Sequence, residues 1–233
     1  MAFILPPNGG KQSAMTVPLK YILQSAVMLG AIAATLFGFA GRLDLPEFWV
    51  YLAIFAAVTA FGLFGIDPDL LEERARPGGQ PMGPVYIIAV IVPFAHWIAA
   101  GLDRRYHWTD TVPGWFQTGG FIVVVAGFAL FFWGMRVNRF FSSVPRIQSE
   151  RGHRVITGGP YRFVRHPGYV GAIAFVLASG LALGSWISVL VFLPAVGMLL
   201  YRTAVEDAQL KAELPGYRDY AARVRWRLLP GIW

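Results

Sequence analysis

Two polar stretches of this chain carry the residue types that do chemistry. The first runs His153-Arg-Val-Ile-Thr-Gly-Gly-Pro-Tyr161 and continues Arg162-Phe-Val-Arg-His-Pro-Gly-Tyr-Val-Gly171. Gly158-Gly159-Pro160 demands a tight turn, and Pro167 suits the first position of a helix, where its missing N–H costs nothing. His166 then stands at a helix N-terminus, whose free amides and positive dipole end favour an anionic group such as a carboxylate. Tyr161 and Tyr169 offer ring faces to a cation. The second stretch opens Arg202-Thr-Ala-Val-Glu-Asp-Ala-Gln-Leu210. Arg202 and Glu206 are four apart and share one helical face. An arginine and a carboxylate at membrane depth are expensive, and so are functional candidates. Plainer uses exist for the same residues: arginines resting on lipid phosphates, a histidine that caps a helix, an interfacial ion pair with a snorkelling Arg202.

The elements that must position these residues are membrane helices. Of the 233 residues 56% are hydrophobic and only 14% charged, with a mean hydropathy of +0.52. A soluble domain carries nearer ~25% charged residues, so lipid is the expected solvent. Intrinsic disorder and collagen-like repeats are excluded by the same composition, and the zero Cys count excludes a disulfide framework, thiolate nucleophiles and Cys-ligated zinc. The net charge of +7 would raise nucleic-acid binding in a soluble protein. In a membrane protein it reflects topology instead, and no nucleic-acid partner is expected.

Apolar runs at 21–40, 48–66, 85–102 and 115–135 are each long enough to cross a bilayer core, which takes about 20 residues. The first exceeds a signal-peptide core and is followed by no small-x-small cleavage site, so it reads as a retained span. The block 169–201 is too long for one ordinary span. With Gly184-Ser185 as its turn it becomes a hairpin of two short helices of about 15 residues, roughly 22 Å each. Charge selects this hairpin. With it, and with the N-terminus inside, every Lys and Arg except Arg42, Arg104 and Arg105 is cytoplasmic; with a single span, Arg202, Lys211, Arg218, Arg223, Arg225 and Arg227 would all change sides. The positive-inside rule therefore predicts an all-α integral membrane protein with about six transmembrane helices and both termini cytoplasmic. Trp49, Trp108, Trp115 and Trp186 fall near the outer ends. The excess of Arg over Lys and the small size point to a bacterial inner membrane.

Residues 1–136 form a four-helix membrane region, and 137–233 hold the chemistry. Residues 67–76 read as a short amphipathic turn at the interface, and 217–227 as a basic element lying on anionic headgroups. There is no GxGxxG after a strand, no P-loop and no HExxH, and the four His are too scattered for a metal site. His96, inside the third span, reads as a packed histidine bonded to a neighbouring helix. The site that remains is a cytoplasmic pocket between the 161–169 loop and the Arg202/Glu206 face.

These residues fall into a known pattern. His153-x-Val-Ile-Thr-x-Gly-Pro-Tyr161, Arg165-His-Pro-Gly-Tyr169-x-Gly171, Arg202-x-x-x-Glu206-Asp-x-x-Leu210, Tyr217-x-x-Tyr220 and the 224–230 tail resemble the isoprenylcysteine carboxyl methyltransferase family of integral membrane enzymes. The related phospholipid N-methyltransferases share the Arg-His-Pro-x-Tyr element and the acidic pair. The resemblance covers about the last third of the chain and implies S-adenosyl-L-methionine bound on the cytoplasmic side. It places cofactor contacts on Gln148, His153, Arg154, Val155, Ile156, Tyr161, His166, Pro167, Gly168, Tyr169 and Glu206. Arg202 matches the arginine that contacts the methyl acceptor. The family's paired glutamates stand here as Glu206-Asp207.

The implied reaction is an in-line displacement, for which aligning donor and acceptor is much of what a protein contributes. A carboxylate acceptor, the favoured case, would be gripped by the planar fork of Arg202. An amine or thiol would first lose a proton, with Glu206 as candidate base. The acceptor is expected to be lipidic or hydrophobic and to enter from the bilayer. Two other classes remain open: a sterol-type membrane reductase using NADPH, whose members end in a similar His-Pro-x-Tyr region, and a non-catalytic membrane protein.

Overall fold

The computed structural model of the protein describes residues 19–75 and 83–233. Over these residues it is all-helical: α1 Leu19–Ala40, α2 Pro46–Gly65, a short α3 Pro68–Ala75, α4 Gly83–Tyr106, α5 Gly114–Val137, α6 Pro167–Ala182, α7 Trp186–Glu213 and α8 Tyr217–Arg223. Five of them (α1, α2, α4, α5 and α7) are long and apolar enough to cross a membrane, and α6 is a shorter apolar helix of 16 residues. Lys11 and Arg76 of the charge count lie outside the described residues.

Helices α5 and α6 pack backbone against backbone, and glycine makes it possible. A Cβ on Gly120 would lie 2.7 Å from the backbone nitrogen of Ala182, and one on Gly127 would lie 2.7 Å from the carbonyl oxygen of Gly171. Gly120, Gly127 and Gly134 recur every seven residues, so one stripe of α5 lets the α6 backbone approach along its length. Small residues drive helix association in lipid, where packing replaces the hydrophobic effect. At about 24 Å, α6 is shorter than a bilayer core.

The end away from the polar loops is closed by a cap. Asp103 is fully buried and accepts from the Thr109 amide, the Thr109 hydroxyl and Ser185 Oγ. Arg104 reaches Glu47 at 2.6 Å. Gly184 turns at φ +76°, and Ser185 caps α7 by accepting from the Ser188 amide at 3.1 Å. Mid-membrane, His96 is buried and bonds Ser179 Oγ at 2.8 Å and Ser188 Oγ at 2.6 Å, which ties α4 to α6 and α7. It is the packed histidine expected from its position.

The hairpin forms with its turn at Gly184-Ser185, but its second arm is not short. Helix α7 runs 28 residues, through the fall in hydropathy at Arg202 and on to Glu213. No breaker stands in Thr203–Glu213, whereas Leu214 caps the helix and Pro215 cannot continue it. Arg202 and Glu206 are thereby held on the same continuous helix that crosses the membrane.

The C-terminal basic element also departs from expectation. Tyr217 and Tyr220 of α8 are buried, and they pack with Leu214, Leu210, Val155 and Ile147. An amphipathic helix presents its apolar face to the nearest apolar surface, and here that surface is protein. The arginines Arg218 and Arg223 stay outside.

Candidate active site

The end of the bundle opposite the cap encloses a cavity of about 250 Å³. Its walls come from five places: α3, the end of α5 with the 138–143 loop, the 153–156 segment, the start of α6, and the polar end of α7 with α8. Of the residues expected to hold a cofactor, His153, Arg154, Val155 and Ile156 form one wall. Tyr161, His166, Gly168 and Tyr169 form the next, and Glu206 and Arg202 face them from α7. Pro167 is the first residue of α6, as its missing N–H favours, and it does not line the cavity.

Gln148 is fully buried outside the cavity lining, where it braces the loop. Its side-chain amide donates to the Phe140 carbonyl at 2.8 Å, and its backbone N–H donates to His153 Nδ1 at 3.2 Å. That second bond makes Nδ1 an acceptor and puts the proton of a neutral imidazole on Nε2. The ring also stacks on Phe140 at 4.5 Å. Burial, ahead of the nearby charges, holds the His153 pKa below its ordinary value, so the neutral form prevails.

Tyr169 joins Arg202 to Glu206. Arg202 Nε donates to the phenol oxygen at 2.6 Å, and the phenol donates to Glu206 Oε2 at 2.7 Å. A second Arg202 N–H donates to the Ser143 carbonyl. Arg202 and Glu206 thus share a face, as their spacing requires, but a phenol stands between them in place of a direct ion pair. The cation at the Tyr169 ring is Arg202 itself, 5.9 Å from its centroid.

His166 is the N-cap of α6, and the carboxylate beside it belongs to the protein. Asp207 Oδ1 lies 3.3 Å from His166 Nε2, while Glu206 Oε1 lies 3.9 Å from Nδ1. Asp207 is fully buried and gathers the C-terminal tail. Arg165 grips it at 2.7 and 3.1 Å, Arg227 at 3.0 Å, Lys211 at 2.8 Å, and the Tyr217 hydroxyl donates to it at 3.1 Å. Arg165 also donates to the carbonyls of Val224 and Arg225, and the Arg165 and His166 amides donate to Trp226 and Arg227. The shorter acid in the Glu206-Asp207 pair is therefore a hub that clamps the tail over the start of α6.

Among the lining residues that sequence reasoning passed over are Arg74, from the short α3, and Asn138, whose amide donates to the Tyr161 hydroxyl at 3.1 Å. Helix α3 is strapped to the site loop by its acids. Glu73 accepts from Arg146 at 2.7 Å and from Ser142 at 2.8 Å, and Asp69 pairs with Arg151 and Arg139. Burial raises the Glu73 carboxyl, but Arg146 and Ser142 outweigh it and hold the group below its ordinary value.

Residues 120–212 match the sequence model of the isoprenylcysteine carboxyl methyltransferase (ICMT) family. The resemblance carried by the polar motifs is thereby borne out. Over 92 residues the chain is 33% identical to the protein-S-isoprenylcysteine O-methyltransferase of Schizosaccharomyces pombe, covering 39% of this chain and 39% of that protein. The match thus spans about two fifths of that relative's length. Among solved structures the fold is similar to the eukaryotic intramembrane Ras methyltransferase ICMT, with a TM-score of 0.61 and 18% identity, covering 91% of this chain and 77% of that one. At that identity the likeness is one of fold, that of a multi-pass integral membrane protein.

Proposed function

We propose that this protein is an S-adenosyl-L-methionine-dependent methyltransferase of the membrane, acting on the carboxylate of a lipidic acceptor such as an isoprenylated cysteine. The observation that carries the proposal is the Arg202–Tyr169–Glu206 chain on the wall of a cavity whose neighbouring walls are the family-matched segments. The donor set fits the methyl donor. Among the described residues, Glu206 Oε1 has no approach nearer than His166 Nδ1 at 3.9 Å, which suits a partner carrying amino or hydroxyl donors. His153 Nε2–H and the 154–156 peptide edge supply polar contacts, and Tyr161 supplies a buried aromatic wall.

When bound, S-adenosyl-L-methionine supplies a methyl group on a cationic sulfur. The protein's share is alignment and charge. Arg202, oriented through Tyr169 and Ser143, holds the acceptor carboxylate without any proton having to be removed. Charge is neutralised as the bond forms, which a water-poor site favours. The deep end of the cavity is apolar: Phe131, Ala172 and Leu199 lie on the membrane helices α5, α6 and α7. A prenyl chain entering from the bilayer would rest there with its head at Arg202. In this reading residues 137–233 carry most of the chemistry, six helices span, both termini are cytoplasmic, and the membrane is a bacterial inner one. Gln148 acts through His153 and the loop.

The direct test is transfer of labelled methyl from S-adenosyl-L-methionine to an S-prenyl cysteine. A base-labile ester product is expected. A base-stable product would mean transfer to the cysteine amine, and NADPH-dependent reduction of a sterol would overturn the proposal.

A further inference from the structure

Among the described residues, three carboxylates around the cavity are committed to other cations. Glu73 is held by Arg146, Asp69 by Arg151 and Arg139, and Asp207 by Arg165, Arg227 and Lys211. Arg74 receives none of them. Among the described residues its polar contact is a 3.3 Å bond from Nη1 to the Phe141 carbonyl, and its guanidinium lies 5.8 and 5.5 Å from the ring centroids of Phe131 and Phe141. It lines the same cavity as Arg202, which among the described residues has no direct carboxylate partner and reaches Glu206 only through Tyr169. Burial, and then the charge of Arg202, bring the Arg74 pKa down to about 10, which still leaves it cationic at neutral pH.

Two part-buried like charges lining one cavity are costly, and a protein retains them where an anion completes the arrangement. We infer that Arg74 is a second acceptor-binding residue: with Arg202 it forms a two-arginine cradle that selects an anionic head group on the acceptor. The inference rests on the methyltransferase reading and deepens it, because it assigns a substrate contact to α3, outside the family-matched region. It also explains why α3 is strapped by Glu73 and Asp69. The straps hold Arg74 over the cavity, and the rings of Phe131 and Phe141 keep its guanidinium extended.

The test compares binding of an S-prenyl cysteine acid and its carboxamide to the detergent-purified protein, for the wild type, Arg74→Met and Arg74→Lys. Methionine keeps the packing against Phe131 and Phe141, and lysine keeps the charge. S-adenosyl-L-methionine affinity is measured in parallel. Arg74→Met is expected to weaken acid binding by about tenfold or more, the scale of a lost charge-assisted contact. Amide and S-adenosyl-L-methionine binding should not change, and Arg74→Lys should fall between. Equal acid affinity in all three proteins would overturn the inference and leave the methyltransferase reading standing. So would a wild type that binds acid and amide alike. A wild type that binds no S-adenosyl-L-methionine would remove that reading, and this inference with it.

Discussion

The phenol oxygen of Tyr169 stands between Arg202 and Glu206, 2.6 Å from the arginine Nε and 2.7 Å from the carboxylate. It spaces the two charges on one face of α7 and orients both. Tyr169→Phe removes the oxygen and keeps the ring. The folded protein should persist with a modest fall in melting temperature from the two lost hydrogen bonds, while turnover falls by about 10- to 100-fold, the scale of a misplaced reacting group. Unchanged turnover would make the phenol a packing residue.

Asp207 braces the fold, whereas its neighbour Glu206 lines the cavity. It is fully buried and has three cationic partners, so Asp207→Asn strands Arg165 without its counter-charge. Breaking a buried pair from one side costs about 3–5 kcal/mol. Thermal unfolding in detergent should show a loss on that scale, with the 224–233 tail becoming accessible to protease first.

The α5–α6 seam can be tested by a matched pair on one helix. Gly127→Ala puts a methyl 2.7 Å from the Gly171 carbonyl oxygen, where only backbone could yield, whereas a Cβ at Gly119 meets nothing within 4 Å. Overpacking of this kind costs about 1–3 kcal/mol. Gly119→Ala should be neutral or slightly stabilising, and equal melting temperatures for the two would contradict the seam.

His153 makes stability depend on pH in a stated direction. Its folded pKa lies below the unfolded value of about 6.5. Between the two values the unfolded chain binds more protons, so this contribution is intact above about pH 6.5 and is lost as the pH falls through that window. Protonation also removes the Nδ1 acceptor from the Gln148 amide. A thermal midpoint followed against pH should fall on the acid side in the wild type and fall less in His153→Gln.

What could be read from sequence was local. Pro167 opens α6, Gly158-Gly159-Pro160 turns, Gly184-Ser185 folds the hairpin, and Pro215 follows the end of α7, each because the residue's own backbone preference settles the matter. The face shared by Arg202 and Glu206 follows from helical spacing alone. The reach of α7 was hidden because hydropathy drops at Arg202 while nothing breaks the helix. The roles of Tyr169, Asp207 and Arg74 depend on helix packing. Tyr169 meets Arg202 across 33 positions, Asp207 meets Arg165 across 42, and Arg74 comes to Phe141 across 67. In the sequence α3 looked like an interfacial turn, since periodicity shows which face is polar and not what that face meets. The same limit applied to α8, whose tyrosines found protein in place of lipid.

The measurement that bears most directly on the proposed activity is calorimetric titration of the detergent-purified protein with S-adenosyl-L-methionine and, separately, with NADPH, for the wild type and Glu206→Gln. Saturable S-adenosyl-L-methionine binding by the wild type, weakened at least tenfold in Glu206→Gln, with no NADPH binding, is the expected result. Binding of NADPH in place of S-adenosyl-L-methionine, or of neither, would contradict it.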